Sequence, residues 1–281
     1  MFTKSVARTL LAKIYAEKPL RDYTKVIQYC DEVKADGFDL VDDFSDLFGM
    51  NAAGTDAKMR NTKESILEAQ FTPGAGNWCT WMFGRDLVNW NNNFTWAKWV
   101  TPSRDLISTF KQEGDEVRFK ESVVYYDCGW SNYYPSDNYP FMYKCRSANS
   151  SIIKYRYADV LLLKAEALIM QDTPDLEGAA DIIDEVRDRA KLGALSSSTR
   201  SNKDALLNAL LKERRLELAF EGQRWFDLVR LDKVEEVMNA VHAKDSGRKA
   251  QVYTYDKNSY RLPIPQSVID ANDKIHQNPG Y

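Results

Sequence analysis

Leu161-Leu162-Leu163-Lys164-Ala165-Glu166-Ala167 decides the fold, because it returns the pattern of Leu10-Leu11-Ala12-Lys13-Ile14-Tyr15-Ala16. A second match follows each copy in the same order, Tyr29-Cys30-Asp31-Glu32-Val33-Lys34 against Ile182-Ile183-Asp184-Glu185-Val186-Arg187. Paired matches in one order indicate a repeated unit. In the first copy, Val6, Leu10, Leu11, Ile14 and Tyr15 recur at helical spacing over residues 3–17 and are expected to form the apolar stripe, with Pro19 closing the helix. A second helix runs from about Asp22, carries Tyr23, Val26, Ile27, Cys30 and Val33 on one face, and stops near Gly37. Small alanines in the first helix of each pair let the second approach closely. A lone hairpin cannot cover its apolar face, so neighbouring hairpins must stack, which is tetratricopeptide-like logic. A third pair is read at Lys203 to Phe220 and Arg224 to Val241, with Leu206, Leu207, Leu210, Leu211, Leu218, then Phe226, Val229, Val234 and Val237 as its stripes.

Residues 44–151 are different in kind. They are rich in Gly, Asn, Tyr and Trp, and hold six of the seven tryptophans, Trp78, Trp81, Trp90, Trp96, Trp99 and Trp130. Helical repeats have no need of such a segment. Within it Ser65 to Phe71 reads as a strand, Arg104 to Phe110 as a helix and Val117 to Tyr126 as an alternating strand, the rest being loops held by aromatic packing. The tail, Tyr260 to Pro265 and Gln277 to Tyr281, is extended, proline-stiffened and apolar enough at its start to dock on the helices. The expected fold class is therefore mostly α, with tetratricopeptide-like helical hairpins and a loop-rich, aromatic-rich inserted subdomain. Three domains follow: 1–43 as an N-terminal hairpin, 44–152 as an inserted capping and ligand-binding subdomain, and 153–281 as C-terminal hairpins with a docked tail.

Composition narrows the chemistry. With 281 residues, a net charge of −3 and 44% hydrophobic residues, the chain buries a sizeable core but offers no excess of positive charge for nucleic acid or a lipid surface. Lys4 and Arg8 interrupt the start where an export signal needs an apolar core. None of Cys30, Cys79, Cys128 and Cys145 has CxxC spacing, and His242 and His276 stand apart from any nucleophile, so neither a metal site nor a histidine-based triad is expected, and no cofactor. A bridge among the three cysteines of the middle region is compatible with an oxidising compartment.

The run Arg156-Tyr157-Ala158-Asp159-Val160-Leu161-Leu162-Leu163-Lys164-Ala165-Glu166-Ala167 resembles a signature of SusD/RagB proteins. So do the run from Glu213-Arg214-Arg215-Leu216-Glu217 through Glu221-Gly222-Gln223-Arg224-Trp225-Phe226-Asp227 to Arg230, and the closing Leu262-Pro263-Ile264-Pro265 with Gln277-Asn278-Pro279-Gly280-Tyr281. Weaker similarity continues upstream through Asn61 to Phe71 and Trp99 to Leu106. The resemblance implies a non-catalytic glycan-binding lipoprotein on the surface of the outer membrane, which captures oligosaccharides and passes them to a SusC-type TonB-dependent transporter. The lipoprotein signal, the anchoring cysteine and a further helical stretch that family members carry at the front are not in this sequence, so the resemblance implies the C-terminal portion of a longer protein.

Sugar rings offer C–H faces to aromatic planes and hydroxyls to amides and carboxylates. Trp90-Asn91-Asn92-Asn93-Phe94-Thr95-Trp96 has that composition, and so has Tyr125 to Tyr134 with Asp137 and Asn138 nearby. The candidate stacking residues are Trp78, Trp81, Trp90, Trp96, Trp130, Tyr133 and Tyr134. The candidate hydrogen-bonding residues are Asn91, Asn92, Asp127, Asn132 and Asp137. Trp78, Trp81 and Trp130 lead the set, whereas Trp99, just before a helix, reads as structural; the bland reading of every one of these rings is that it fastens a loop-rich subdomain. Glu213, Glu217 and Glu221 recur every four residues, but with Arg214, Arg215, Arg224 and Arg230 at hand and no histidine they read as a salt-bridge network that locks the last hairpin, with Trp225 and Phe226 as buried wedges beside Asp227. Two other readings remain at this level: a helical-repeat protein that binds or imports peptides, and a glycoside hydrolase using a pair such as Asp127 and Asp137.

Overall fold

The computed structural model describes residues 2–71, 76, 101–127, 134–245 and 254–281. It resolves into two compact units, Met1–Gln223 and Arg224–Tyr281. In the first unit, helix α1 (Lys4–Ala16) is capped by Thr3, whose hydroxyl accepts from Val6 N, and α2 (Tyr23–Ala35) by Asp22, whose carboxylate accepts from Lys25 N. Gly37, at φ +93°, takes the left-handed conformation that ends the hairpin. The pair forms as expected, but α1 is rotated. It buries Val6, Thr9, Ala12 and Ala16, while Leu10 (44% exposed) and Ile14 (37%) face outward. The small residues win the interior because they let α2 come close, and Tyr15 lies stacked on Tyr29 at 5.9 Å.

A short helix, α3 (Ser45–Phe48), leads to strand β1 (Ser65–Ala69), and the middle segment continues with α4 (Arg104–Glu113), α5 (Glu116–Ser122), β2 (Val123–Tyr126), β3 (Tyr139–Met142) and β4 (Ile152–Arg156). β1 pairs antiparallel with β4, and β2 with β3. The strand expected over Val117 to Tyr126 begins only at Val123. Before it, Asp115 caps α5 by accepting from Arg118 N, and the helix turns Arg118 inward onto buried carboxylates, an enthalpic reward that alternation of side chains cannot reveal.

β4 runs straight into α6 (Tyr157–Met170), which is apolar on almost every side and buried accordingly. It packs against α1, α2, α7 (Leu176–Arg189) and, past the short α8 (Ser197–Arg200), α9 (Lys203–Glu217). Leu162, Ile169, Ile183 and Leu206 are wholly enclosed where these helices meet. Asp159 is enclosed there too, and Lys13 and Arg214 reach it at 2.7 and 2.8 Å. Burial opposes its charge, but the two cations outweigh burial and hold its carboxyl well below the usual range.

The second unit holds α10 (Arg224–Arg230), α11 (Val234–Lys244) and α12 (Gln266–Ala271). The single helix expected over Arg224 to Val241 is thus two, interrupted at Asp232, which adopts φ +55°, a conformation that aspartate tolerates better than most residues. Phe226 is not a wedge: it is 59% exposed, while Trp225 is half-buried against Tyr255. Within this unit Asn239 hydrogen-bonds Tyr255 in both directions and the Tyr260 hydroxyl donates to Glu235 at 2.5 Å, but the apolar start of the tail is not buried: Leu262 is 83% exposed.

The carboxylate row does form a network, with partners other than its sequence neighbours. Arg118 donates to Asp115, Glu213 and Glu217 at 2.6, 2.5 and 3.0 Å. Arg156 reaches Glu64, Glu217 and Glu221 at 2.7, 2.5 and 2.7 Å, and Arg189 closes the ring onto Glu64 and Glu217. Burial alone would raise the Glu217 carboxyl, but Arg189, Arg156 and Arg118 together hold it well below the usual range. Arg214 and Arg215 point elsewhere, to Asp159 and Asp105, and Arg230 pairs with Asp227 inside the second unit. Every member of the central group comes from the first unit, so the network ties β1, α5, β4, α7 and α9 into one body.

Lys144 is the network's dispensable cation. Its ammonium donates to Glu217 O and Glu221 Oε1, yet Arg156 donates to both of those groups as well. Burial pulls Lys144 down to about 8, against the opposing pull of Glu221. An unfolded chain keeps that proton to the ordinary value of 10.5, so between these two pH values the unfolded state binds more protons and stability rises with pH. Lys144→Met is therefore expected to change stability at pH 7 by no more than about 1 kcal/mol. It should also abolish a rise on the order of 1–3 kcal/mol that the parent gains across that alkaline window. Urea denaturation of both proteins at pH 7, 8, 9 and 10 checks this; parallel curves would refute it.

Candidate functional site

The best-furnished opening in the described residues lies between α4 and the β2–β3 hairpin. It is a cleft of about 310 Å³ lined by Arg104, Ile107, Ser108 and Lys111 on the helix and by Tyr125, Tyr134, Pro135 and Asn138 across from it in the chain. The four helical residues sit at positions i, i+3, i+4 and i+7, so they form one face of α4. Ser103 caps that helix by accepting from Leu106 N at 3.1 Å, and its opposite side is anchored by Leu106 and Phe110 against Leu216 and Ala219. Asp105 adds an ion pair to Arg215 at 2.6 Å. The helix is therefore a fixed wall.

Pairing of β2 with β3 places Val124 opposite Phe141 and Tyr126 opposite Tyr139. These four side chains share a buried cluster, and the two-residue period of a strand turns Tyr125 to the other face. Tyr125 is half-buried, and burial raises its phenol, which stays protonated at neutral pH and able to donate. Tyr134 is held on three sides. Its hydroxyl donates to Pro102 O at 2.8 Å, its ring meets Tyr139 edge-on at 5.6 Å, and the Arg104 guanidinium lies 4.2 Å from its centroid. Thr101 and the Tyr139 hydroxyl share a hydrogen bond of 2.6 Å behind it. The stacked Arg104 covers one face of Tyr134, so in this arrangement Tyr134 is a platform for a cation and Tyr125 is the ring with a face to offer a ligand.

Of the residues expected from sequence, Tyr134 lines this cleft. Asp137 is exposed in the turn beside Asn138, and Asp127 is exposed one residue beyond β2. Trp78, Trp81, Trp90, Trp96, Trp99, Trp130, Tyr133, Asn91, Asn92 and Asn132 lie outside the described residues. Arg104, Ser108 and Lys111 line the cleft without being candidates from the sequence, although their i, i+4, i+7 spacing, starting in a segment read as helix over Arg104 to Phe110, is the available signal. Tyr125 opens the stretch whose composition suits a sugar, but alternation alone does not say which face of a hairpin is covered.

A larger cavity of about 430 Å³ is lined by Phe48, Met142, Lys144, Ile153 and Phe220 among others. Lys144 and Glu221 in its wall already satisfy each other, which leaves mostly apolar surface and few donors to orient a hydroxylated ligand. Among the described residues no group of His, Cys, Asp and Glu is placed to hold a metal ion, and no helix is long and apolar enough to cross a membrane.

Comparison with known proteins gives consistent matches. The SusD family model matches residues 137–281. SusD-like protein P38 of Formosa agariphila is 41% identical over 139 residues, which is 47% of this chain and 25% of that protein. A SusD-like protein from Bacteroides fragilis superposes with a TM-score of 0.74 at 21% identity, covering 99% of this chain and 65% of the other. Surface glycan-binding protein A from Bacteroides thetaiotaomicron, solved in complex with laminarihexaose, superposes with a TM-score of 0.73 at 19% identity, covering 99% of this chain and 64% of the other. The chain thus matches about a quarter of its curated relative and spans under two thirds of these solved structures.

Proposed function

This chain belongs to the SusD family, and on that premise we propose that it is a non-catalytic glycan-binding protein of the outer-membrane surface. It captures oligosaccharides and passes them to a SusC-type TonB-dependent transporter, held at the membrane by a lipid anchor. The observation that carries this reading is the cleft beside α4. It combines a half-buried aromatic ring, a hydroxyl, an amide and two cations on rigid elements, the set of groups that a sugar's C–H face and hydroxyls require. The laminarihexaose complex of the structurally similar glycan-binding protein supports the ligand class. Among the described residues the wall offers donors without an opposed pair of carboxylates, which suits binding rather than hydrolysis.

Isothermal titration against a broad oligosaccharide panel, with product analysis on the same samples, tests the reading. Binding is expected without release of reducing ends, and Tyr125→Ala should weaken it by about tenfold, equivalent to about 1.4 kcal/mol. Release of reducing sugar that disappears on Asp127→Asn would establish a hydrolase instead.

A further inference from the structure

We propose that the cavity of about 430 Å³ beside β4 is a second binding site, for a small aromatic carboxylate, with the apolar wall taking the ring and Lys154 and Ser151 holding the anionic group. The proposal does not depend on the glycan reading, because this cavity and the cleft beside α4 share no lining residue. Its volume falls in the range of small-molecule sites. Phe48, Met142, Ile152, Ile153 and Phe220 give it a carbon-rich wall. Two phenyl rings and a thioether favour an aromatic guest over a plain alkyl chain, since both make directed contacts with a ring edge or face.

The polar groups in the wall fix the sign of the guest. Glu221 is matched by Lys144 at 2.6 Å and by Arg156 at 2.7 Å, so its charge is compensated. Lys154 lines the cavity, is exposed, and has no carboxylate partner among the described residues. Ser151 accepts from Arg60 Nη1 at 2.8 Å, which leaves its own proton to donate. One cation and one hydroxyl donor match one carboxylate, and a charge-assisted hydrogen bond to it is worth more than one to a neutral group. Phe220 carries a further mark. Its φ of +65° is the left-handed conformation that a bulky residue rarely adopts and that a helix end usually assigns to glycine. Such strain persists where the surroundings enforce it, characteristically at ligand sites. The ring packs against the cluster of Leu106, Phe110, Leu216 and Ala219, so it is a fixed part of the wall.

Calorimetric titration of the whole chain with hydrocinnamate and indolepropionate, each beside its neutral amide, and with propionate tests the proposal. At least one aromatic acid is expected to bind about tenfold or more tightly than its amide and than propionate, which lacks the ring, with the acid–amide gap shrinking as salt is raised. Lys154→Gln, at an exposed side chain, should cost the acid about tenfold and leave the amide unchanged. Ile152→Trp fills the cavity from a half-buried position and should weaken acid and amide alike by about tenfold or more. Both variants are expected to keep the parent's thermal midpoint and oligosaccharide affinity, which separates loss of this site from loss of the fold. No binding of either acid at millimolar concentration, equal affinity for acid and amide, an acid preference that survives Lys154→Gln, or binding untouched by Ile152→Trp would each overturn the proposal. None of these results bears on the cleft beside α4, and failure of the oligosaccharide panel would leave this site standing.

Discussion

Arg156→Met is expected to destabilise the protein by about 3–5 kcal/mol at pH 7, the cost of leaving buried carboxylates one cation short. Arg156 is almost wholly enclosed, and its guanidinium touches Glu64, Glu217 and Glu221 as well as the Glu217 carbonyl. After the substitution Glu64 keeps Arg189, Glu217 keeps Arg118 and Arg189, and Glu221 keeps Lys144, so no carboxylate is orphaned outright. What remains is one uncompensated negative charge in a dry interior, which has no low-energy solution except taking up a proton. The deficit of the variant should accordingly shrink as pH falls from 7 toward 5, because protonating one member of the group restores the balance. Denaturant titrations at both pH values measure it. A loss under about 1 kcal/mol, or a deficit that does not change with pH, would mean that the network is not the structural knot described here. The contrast with Lys144→Met makes the point sharper: both residues are buried cations of one cluster, but Arg156 pairs with three carboxylates and Lys144 with Glu221 alone.

The second large effect belongs to Phe141. It is fully buried in a small cluster with Tyr139 at 4.9 Å and Tyr126 at 6.3 Å, and it lies opposite Val124 in the hairpin. Phe141→Ala is expected to remove about 3–5 kcal/mol of local stability by cavity formation. The helices of the stack share none of that cluster, so the loss should fall on the hairpin. Hydrogen exchange is expected to show the amides of β2 and β3 losing protection while those of α6 and α7 keep theirs, with oligosaccharide binding lost alongside because Tyr125 and Tyr134 no longer face α4. Uniform loss of protection across helices and hairpin would contradict the view that the cleft stands on a separately stabilised element.

The hairpin stack was legible in the sequence because two independent matches recur in order and because caps and Gly37 mark the helix ends. What misled was the size of the side chains. Leu10 and Ile14 look like the inward stripe, yet α1 buries Ala12 and Ala16 completely and leaves the two bulky residues outside. Val117 to Ser122 looks like a strand because alternation registers polarity and not partners, and Arg118 finds one carboxylate just before it and two on the distant helix α9. The carboxylates of the Glu213 motif were read correctly as ion-pairing, but their partners come from up to 99 residues away. No local pattern encodes that. Of the two stretches whose composition suits a sugar, Tyr125 to Tyr134 with Asn138 nearby contributes to the cleft, whereas the helix face opposite looks like ordinary surface in the sequence until the hairpin lies against it.

On this reading the cleft holds a sugar and leaves it chemically intact. A crystal structure of the protein with an oligosaccharide that it binds in solution tests this most directly. An unbroken chain is expected, with one ring against Tyr125 and its hydroxyls reaching Ser108 and Asn138. A sugar ordered elsewhere with this cleft empty, or a cleaved product in it, would contradict the account.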